Sequence, residues 1–209
     1  INNQINFAMQ VIDLTMPLDE RTPVFPGDTK QEISQASTIA LNGWNEKRLT
    51  FNSHFSTHID APYHMLENGK KLTDFRVEKF IGNAVVIDVK GQKLINAPLG
   101  KVKPGDFVFF FTGRTEKAYS KGFFRDNPVI SKETAKRLVE KRVSIVGIDS
   151  FSPDNEPFDV HKLLFRHDIL IVENLVNLAK LSGKRFKCFI LPLYIQDADG
   201  APCRVIGIS

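Results

Sequence analysis

Cysteine is nearly missing from this chain: Cys188 and Cys203 are the two in 209 residues. Two thiols make neither a disulfide framework nor a zinc–thiolate site. Both lie in or beside apolar, strand-like sequence, so each is expected to be a buried free thiol, the state a reducing compartment such as the cytoplasm maintains. Long apolar runs are also absent. No stretch approaches the roughly 18 apolar residues of a membrane span, so no membrane partner is expected. Ile1 to Gln10 has neither the basic nor the apolar region of a signal peptide. Basic clusters are missing too. The net charge is +4, yet no basic run exceeds a pair such as Lys47-Arg48 or Lys184-Arg185. A nucleic-acid footprint would need clustering with interleaved aromatics, and none is expected; the mild positive balance favours an anionic small substrate. Tryptophan occurs once and tyrosine three times, against seventeen phenylalanines. That bias carries no functional reading by itself.

What is present is ordinary for a globular chain: 42% apolar and 25% charged residues, at a length that fits one domain with a real core. Val11 to Thr15 reads as a first strand. Thr22 to Asp28, with two prolines and a glycine, reads as a loop whose Phe25 is either a packed anchor or a pocket wall. Glu32 to Ala40 and Lys47 to Ser53 are expected strands, the second delivering His54 at its end. Further strands are expected at Ala84–Val89, Phe107–Phe111, Val143–Ile148, Ile169–Val172, Phe186–Leu191 and Arg204–Ile208. Ser131 to Lys141 is the clearest helix, capped by Ser131. A short helix starts near Asp159 and carries His161. Asp199-Gly200-Ala201-Pro202 is expected to be a turn. Strands outnumber helices, and several are continuous apolar runs, as in a buried sheet.

The segment Ser53-His54-Phe55-Ser56-Thr57-His58-Ile59-Asp60-Ala61-Pro62-Tyr63-His64 holds three of the five histidines and an aspartate. Imidazole and carboxylate are ligands that suit zinc, manganese and iron alike. One helical turn would bring His54 and His58 to one face. Pro62 and the β-branched Thr57 and Ile59 disfavour a longer helix, so a strand end, a tight turn and at most one helical turn are expected. Elsewhere Glu173 ends the run Ile169 to Val172, where ligands often sit in α/β sheets. On spacing alone it could equally be a salt bridge or a helix cap, with His161 as its neighbour. His167 is expected at the surface.

Together these residues resemble the metal-dependent cyclase family, whose best-known members are bacterial kynurenine formamidases. The family motif is His-x-Gly-Thr-His-x-Asp-Ala-Pro-x-His; here His54, Thr57, His58, Asp60, Ala61, Pro62 and His64 match, and Ser56 stands where glycine is usual. The resemblance runs from about Val11 to the end, through Pro23–Asp28, Gly147–Ser150, His161, Glu173-Asn174-Leu175 and Asp199–Arg204. It implies a single α/β hydrolase domain over residues 1–209, with a mixed, curled β-sheet core and flanking helices. It implies two divalent metal ions, zinc first and manganese as the alternative. His54, His58 and Asp60 would hold one; Asp60 would bridge to a second held also by His161 and Glu173. His64 would move the proton, and Phe25 would line the substrate pocket, where formamidases usually have tryptophan. The substrate implied is a small amide, first an aryl formamide such as N-formylkynurenine in tryptophan catabolism, second a cyclic, isatin-like amide. Homodimers or homotetramers are the implied assembly. Two rival readings are a non-catalytic relative that keeps the fold, disfavoured by the intact ligand set, and a thiol enzyme, disfavoured because neither cysteine has a nucleophile context.

Overall fold

A computed structural model describes residues 9–209. Most of the Ile1–Gln10 segment therefore lies outside the described residues.

Apolar alternation builds the main sheet. In the central strand β7 (Phe107–Phe111), numbered in chain order among the twelve strands of the described residues, Phe107, Phe109 and Phe111 point to one side and Val108 and Phe110 to the other. All five are buried, because both faces of the strand are covered. The same alternation runs through its parallel neighbours β5 (Ile81–Asp88) and β9 (Ile145–Ile148), and through β10 (Leu170–Glu173), parallel to β9. The antiparallel members are β4 (His58–Asp60), β11 (Arg185–Pro192) and β12 (Gly200–Ile208). β6 (Leu94–Ile95) and β8 (Val129–Ile130) form a short parallel pair apart from this sheet.

The order β12-β11-β5-β7-β9-β10-β4 closes on itself, because β4 also pairs with the start of β12. The sheet is thus mixed and curled into a barrel, as expected. β1 (Val11–Asp13) continues along the edge of β12 beyond β4. Ile59, Phe109, Leu170, Val172 and Val205 belong to the cluster inside the ring. Val146, Ile148 and Ile171 belong to a second cluster outside it, together with Leu138 and Leu164 from α2 (Lys132–Glu140) and α3 (Asp159–Phe165). Ser131 caps α2 by accepting from the amide of Thr134 at 3.0 Å. Among the described residues no helix is long and apolar enough to cross a membrane.

Two expected elements differ. The Lys47–Ser53 strand is β3 (Glu46–Thr50), and among the described residues it pairs only with β2 (Glu32–Ser37). All five of its residues are exposed, so it is an arm beside the barrel, and His54 comes from the turn that follows it. α1 (Ile39–Asn42) interrupts the arm. The Asp199–Pro202 turn is instead the beginning of β12, since Gly200 to Pro202 complete a ladder with β4 that closes the barrel.

Candidate active site

β4 fixes the geometry. In a strand, alternate residues share a face. Ile59 fills the barrel, so His58 and Asp60 face outward. Antiparallel pairing sets Glu173 directly opposite His58, on the same outer face. α3 packs over that face and supplies His161. A turn of 3-10 helix at Pro62–His64, entered through Pro62, carries His64 back over His54, with ring centroids 3.9 Å apart. The single helical turn thus lies at His64, not between His54 and His58.

The six residues named from the sequence for metal and proton chemistry converge here. His58 Nε2 lies 3.3 Å from Asp60 Oδ1 and 3.4 Å from Glu173 Oε2. His161 Nε2 lies 3.3 Å from Glu173 Oε1. Three groups of ligand atoms each gather within 4.8 Å among the described residues: His54 with His64 and Asp199, and the two expected from the resemblance, His54 with His58 and Asp60, and Asp60 with His161 and Glu173. Asp60 belongs to both of the latter. His58, Asp60, His161 and Glu173 are buried, whereas His64 is partly open to solvent. His167 stands outside the group and is exposed, as expected.

Each buried imidazole is oriented from behind. His58 Nδ1 donates to the carbonyl of Ser56 at 2.8 Å. His161 Nδ1 donates to Asp154 Oδ1 at 2.5 Å. Asp154 Oδ2 also accepts from the amides of Val160 and His161, at 2.7 and 3.2 Å, and so caps α3. Both Nε2 atoms are left facing carboxylates. Two donor atoms about 2.1 Å from one tetrahedral ion would lie about 3.4 Å apart. The spacing and the donor set therefore fit a divalent cation, and His58 and His161 each have the outer partner that histidine ligands in such sites require.

The carboxylates and imidazoles shift one another's titration. Burial opposes charge on His54, but Asp60 and Asp199 outweigh it and bring its pKa up to about 10. Burial is likewise overcome at His161 by Asp154 and Glu173, giving about 9. Burial works against ionised Asp60, yet the His58 and His54 charges hold it well below the usual carboxylate range.

Sequence reasoning missed two carboxylates. Asp199 Oδ2 lies 2.8 Å from His54 Nε2, a hydrogen bond, and 3.6 Å from His64 Nδ1; the His54 bond first, with the neighbouring His64 ring, holds it far below the usual range. Its signal was its place in the Asp-Gly-Ala-Pro motif. Asp154 gave no signal beyond lying in a polar loop upstream of α3.

Ser56 has φ 60°, a left-handed conformation that suits the glycine usual at this position. Its hydroxyl donates to the Met16 carbonyl at 3.1 Å, and its own carbonyl accepts from His58 and, at 3.0 Å, from Asn174 Nδ2. The serine thus adopts the left-handed conformation with its hydroxyl paired, and its carbonyl still serves as the acceptor of His58 Nδ1.

The site opens into a cavity of about 520 Å³. Phe25 is both loop anchor and wall: it is 50% exposed, lines the cavity, and meets Phe124 edge-on at 5.8 Å and Phe151 at 5.9 Å. Part of the phenylalanine excess is spent on this wall. Asp149 anchors it by accepting from the Thr112 amide and hydroxyl and the Gly113 amide, at 2.6, 2.7 and 2.8 Å; burial lifts its pKa to about 7. Arg114 then donates to the carbonyls of Gly122 and Phe123.

A family model described as "Putative cyclase" matches residues 12–155. The chain is 34% identical over 205 residues to a kynurenine formamidase of Bacillus cereus, covering 93% of this chain and 95% of that protein. Against the kynurenine formamidase of Bacillus cytotoxicus the identity is 32% over 204 residues, covering 95% and 97%. An isatin hydrolase bound to the product analogue thioisatinate shares the fold, with a TM-score of 0.88 at 23% identity over 96% of this chain and 92% of its own. A structure described as a predicted metal-dependent hydrolase from Bacillus stearothermophilus superposes with a TM-score of 0.81 at 26% identity, covering 96% and 98%. The barrel, the matched family model and the similarity along almost the whole length agree: the chain belongs to the cyclase family and is a hydrolase of that family.

Proposed function

We propose that the protein hydrolyses a small aryl formamide, with N-formylkynurenine as the first candidate, at a dinuclear metal centre. The observation that carries this reading is the set of Nε2 and carboxylate atoms 3.3–3.4 Å apart, with the rear nitrogens of His58 and His161 already committed as donors. His54, His58 and Asp60 would hold one ion. Asp60 would also take part, with His161 and Glu173, in holding a second. Zinc suits this donor set, with manganese as the alternative. Two such ions, when bound, supply a more acidic water and a polarised carbonyl.

The chain's own residues do the rest. His64 Nδ1 is turned towards Asp199, so its Nε2 is the exchanging position. It takes the proton of the attacking water and returns it to the leaving nitrogen as the C–N bond breaks, releasing formate and an arylamine. Phe25 and its neighbours flank the aryl ring. The assembly expected is a homodimer or homotetramer, and the two free thiols suit a cytoplasmic setting.

The test is elemental analysis of metal per chain with formamide hydrolysis on the same samples. Wild type is expected to hold close to two ions and to cleave N-formylkynurenine. Asp60→Asn should lose metal. His64→Ala should keep it while turnover falls by about 10²–10⁴-fold. Cleavage of isatin in place of the formamide would move the substrate to the cyclic amides. Absence of metal after incubation with zinc or manganese would refute the reading.

A further inference from the structure

An imidazole can give a cation only one of its nitrogens, and the hydrogen bond made by the other decides which. His58 and His161 are fixed alike. Their Nδ1 atoms donate backwards, to the Ser56 carbonyl and to Asp154, and their Nε2 atoms face the carboxylates. His54 is mounted the other way round. Its Nδ1 lies 2.7 Å from Asp60 Oδ1, and its Nε2 lies 2.8 Å from Asp199 Oδ2. Asp60 belongs to both ligand groups of the proposed centre, so Nδ1 is the nitrogen that faces it. Among the described residues, the hydrogen-bond partner of Nε2 is Asp199.

Closure of the barrel places Asp199. Its carbonyl accepts from the Ala61 amide at 2.8 Å, and the next residue, Gly200, is paired with Asp60 itself. The Gly200 backbone crowds the ring edge that carries Nε2: a Cβ there would stand 3.1 Å from that nitrogen. Asp60 on β4 and Asp199 at the entry to β12 thus grip one imidazole from its two nitrogens. The Asp199 carboxylate has a second neighbour. The His64 ring lies against His54 with planes at 35°, and its Nδ1 is 3.6 Å from the same Asp199 Oδ2. One oxygen therefore faces a metal ligand and the proton carrier together. All three side chains are partly open to solvent, where an ion pair contributes little stability. What Asp199 supplies there is orientation.

We propose that Asp199 is a positioning residue for both histidines. It keeps the His54 proton on Nε2, so that His54 binds the first ion through Nδ1, and it holds the His64 ring with Nε2 towards the substrate. Among the three imidazole ligands, His54 alone then uses Nδ1. The first ion and the proton carrier depend on one carboxylate. This rests on the metal-centre reading above and deepens it. Removing such an outer partner costs about 10–100-fold in metal affinity or activity.

The test begins with long-range proton–nitrogen correlation spectra of the zinc-loaded full chain carrying isotope-labelled histidine, which need no substrate. A ring bound through Nδ1 keeps its proton on Nε2, which couples to both ring carbon protons. A ring bound through Nε2 keeps it on Nδ1, which couples strongly to one. Loss of a signal in His54→Gln identifies that residue. His54 is expected to show the first pattern, and His58 and His161 the second. Affinity for the first zinc ion, read by competition with a chelating dye, should fall about 10–100-fold in Asp199→Ala. It should recover in Asp199→Asn, whose carbonyl still accepts from Nε2–H. At saturating zinc, Asp199→Ala should lower kcat about 10–100-fold with KM little changed, and should add nothing to the loss caused by His64→Ala. A proton on Nδ1 of zinc-bound His54, wild-type zinc affinity in Asp199→Ala, no recovery in Asp199→Asn, or additive losses in the double variant would overturn the proposal. Failure of the substrate reading shows separately, as an uncleaved formamide in protein whose zinc-bound rings keep these patterns.

Discussion

Asp154 separates fold stability from metal affinity, and two substitutions should move them in opposite order. Its Oδ2 accepts from the amides of Val160 and His161, and its Oδ1 from His161 Nδ1. Alanine removes all three bonds. Loss of a helix cap costs about 1 kcal/mol, and a buried donor left without a partner costs about 1–3 kcal/mol. Asp154→Ala should therefore destabilise the chelator-stripped protein by about 2–4 kcal/mol. With no side chain left to dictate the proton's position, the His161 tautomer stays free. Asparagine keeps the shape. Its carbonyl can take over the cap, which turns its NH2 group to His161 Nδ1. That nitrogen must then accept, so the ring proton moves to Nε2 and points at Glu173 Oε1, 3.3 Å away. This arrangement satisfies every group without metal, yet it removes the lone pair a cation needs. Disturbing an outer partner of a histidine ligand typically costs 10–100-fold in metal affinity, and Asp154→Asn should lie at about the upper end of that range. Stability should thus fall in the order wild type, Asn, Ala, whereas affinity for the second ion should fall in the order wild type, Ala, Asn. Urea unfolding of stripped protein gives the first order, and competition with a chelating dye gives the second. If Asp154→Asn binds both ions as tightly as wild type, the assignment of Nδ1 as donor is wrong.

Two further predictions follow from packing and burial. A Cβ on Gly200 would stand 2.7 Å from His54 Cε1 and 3.0 Å from the Ile59 carbonyl oxygen. The backbone cannot yield, so Gly200→Ala should push His54 aside and lose the first ion at a stability cost of about 1–3 kcal/mol; Gly100→Ala, with nothing within 4 Å, should change neither. Native protein retaining full metal content as Gly200→Ala would contradict this. Cys188 and Cys203 are buried free thiols, and burial raises the first to about 12 and the second well above its ordinary value. A chromogenic disulfide should therefore react with neither in native protein and with both after denaturation. Rapid labelling of the native state with loss of turnover would reopen the thiol-enzyme reading.

The limits of the sequence show in which residues it left out. His54, His58, Asp60 and His64 were legible because one strand and one turn deliver them, so their grouping is local. The alternation that puts Ile59 inside and its neighbours outside is also local, as is the reading of β7 as a buried strand. His161 and Glu173 lie far along the chain, and spacing left them open to a bland explanation; the family resemblance singled them out. Physically, what joins them to the cluster is the register of β4 against β10, which opposes His58 to Glu173. Register depends on how a barrel closes, and no single segment encodes that. Asp199 illustrates the same point from the other side. It is separated from His54 by 145 residues, and its motif looked like a turn because Gly and Pro favour turns. Pro202 is tolerated in β12 because it ends the three-pair ladder with β4, and the pairing with β11 begins one residue later, at Pro192–Cys203. The glycine leaves room for the His54 ring, the ladder with β4 brings Asp199 beside Ala61, whose amide donates to the Asp199 carbonyl at 2.8 Å, and the carboxylate then reaches His54 and His64. The residues that close the barrel and those that complete the site are the same, so a reading that missed the closure also missed Asp199.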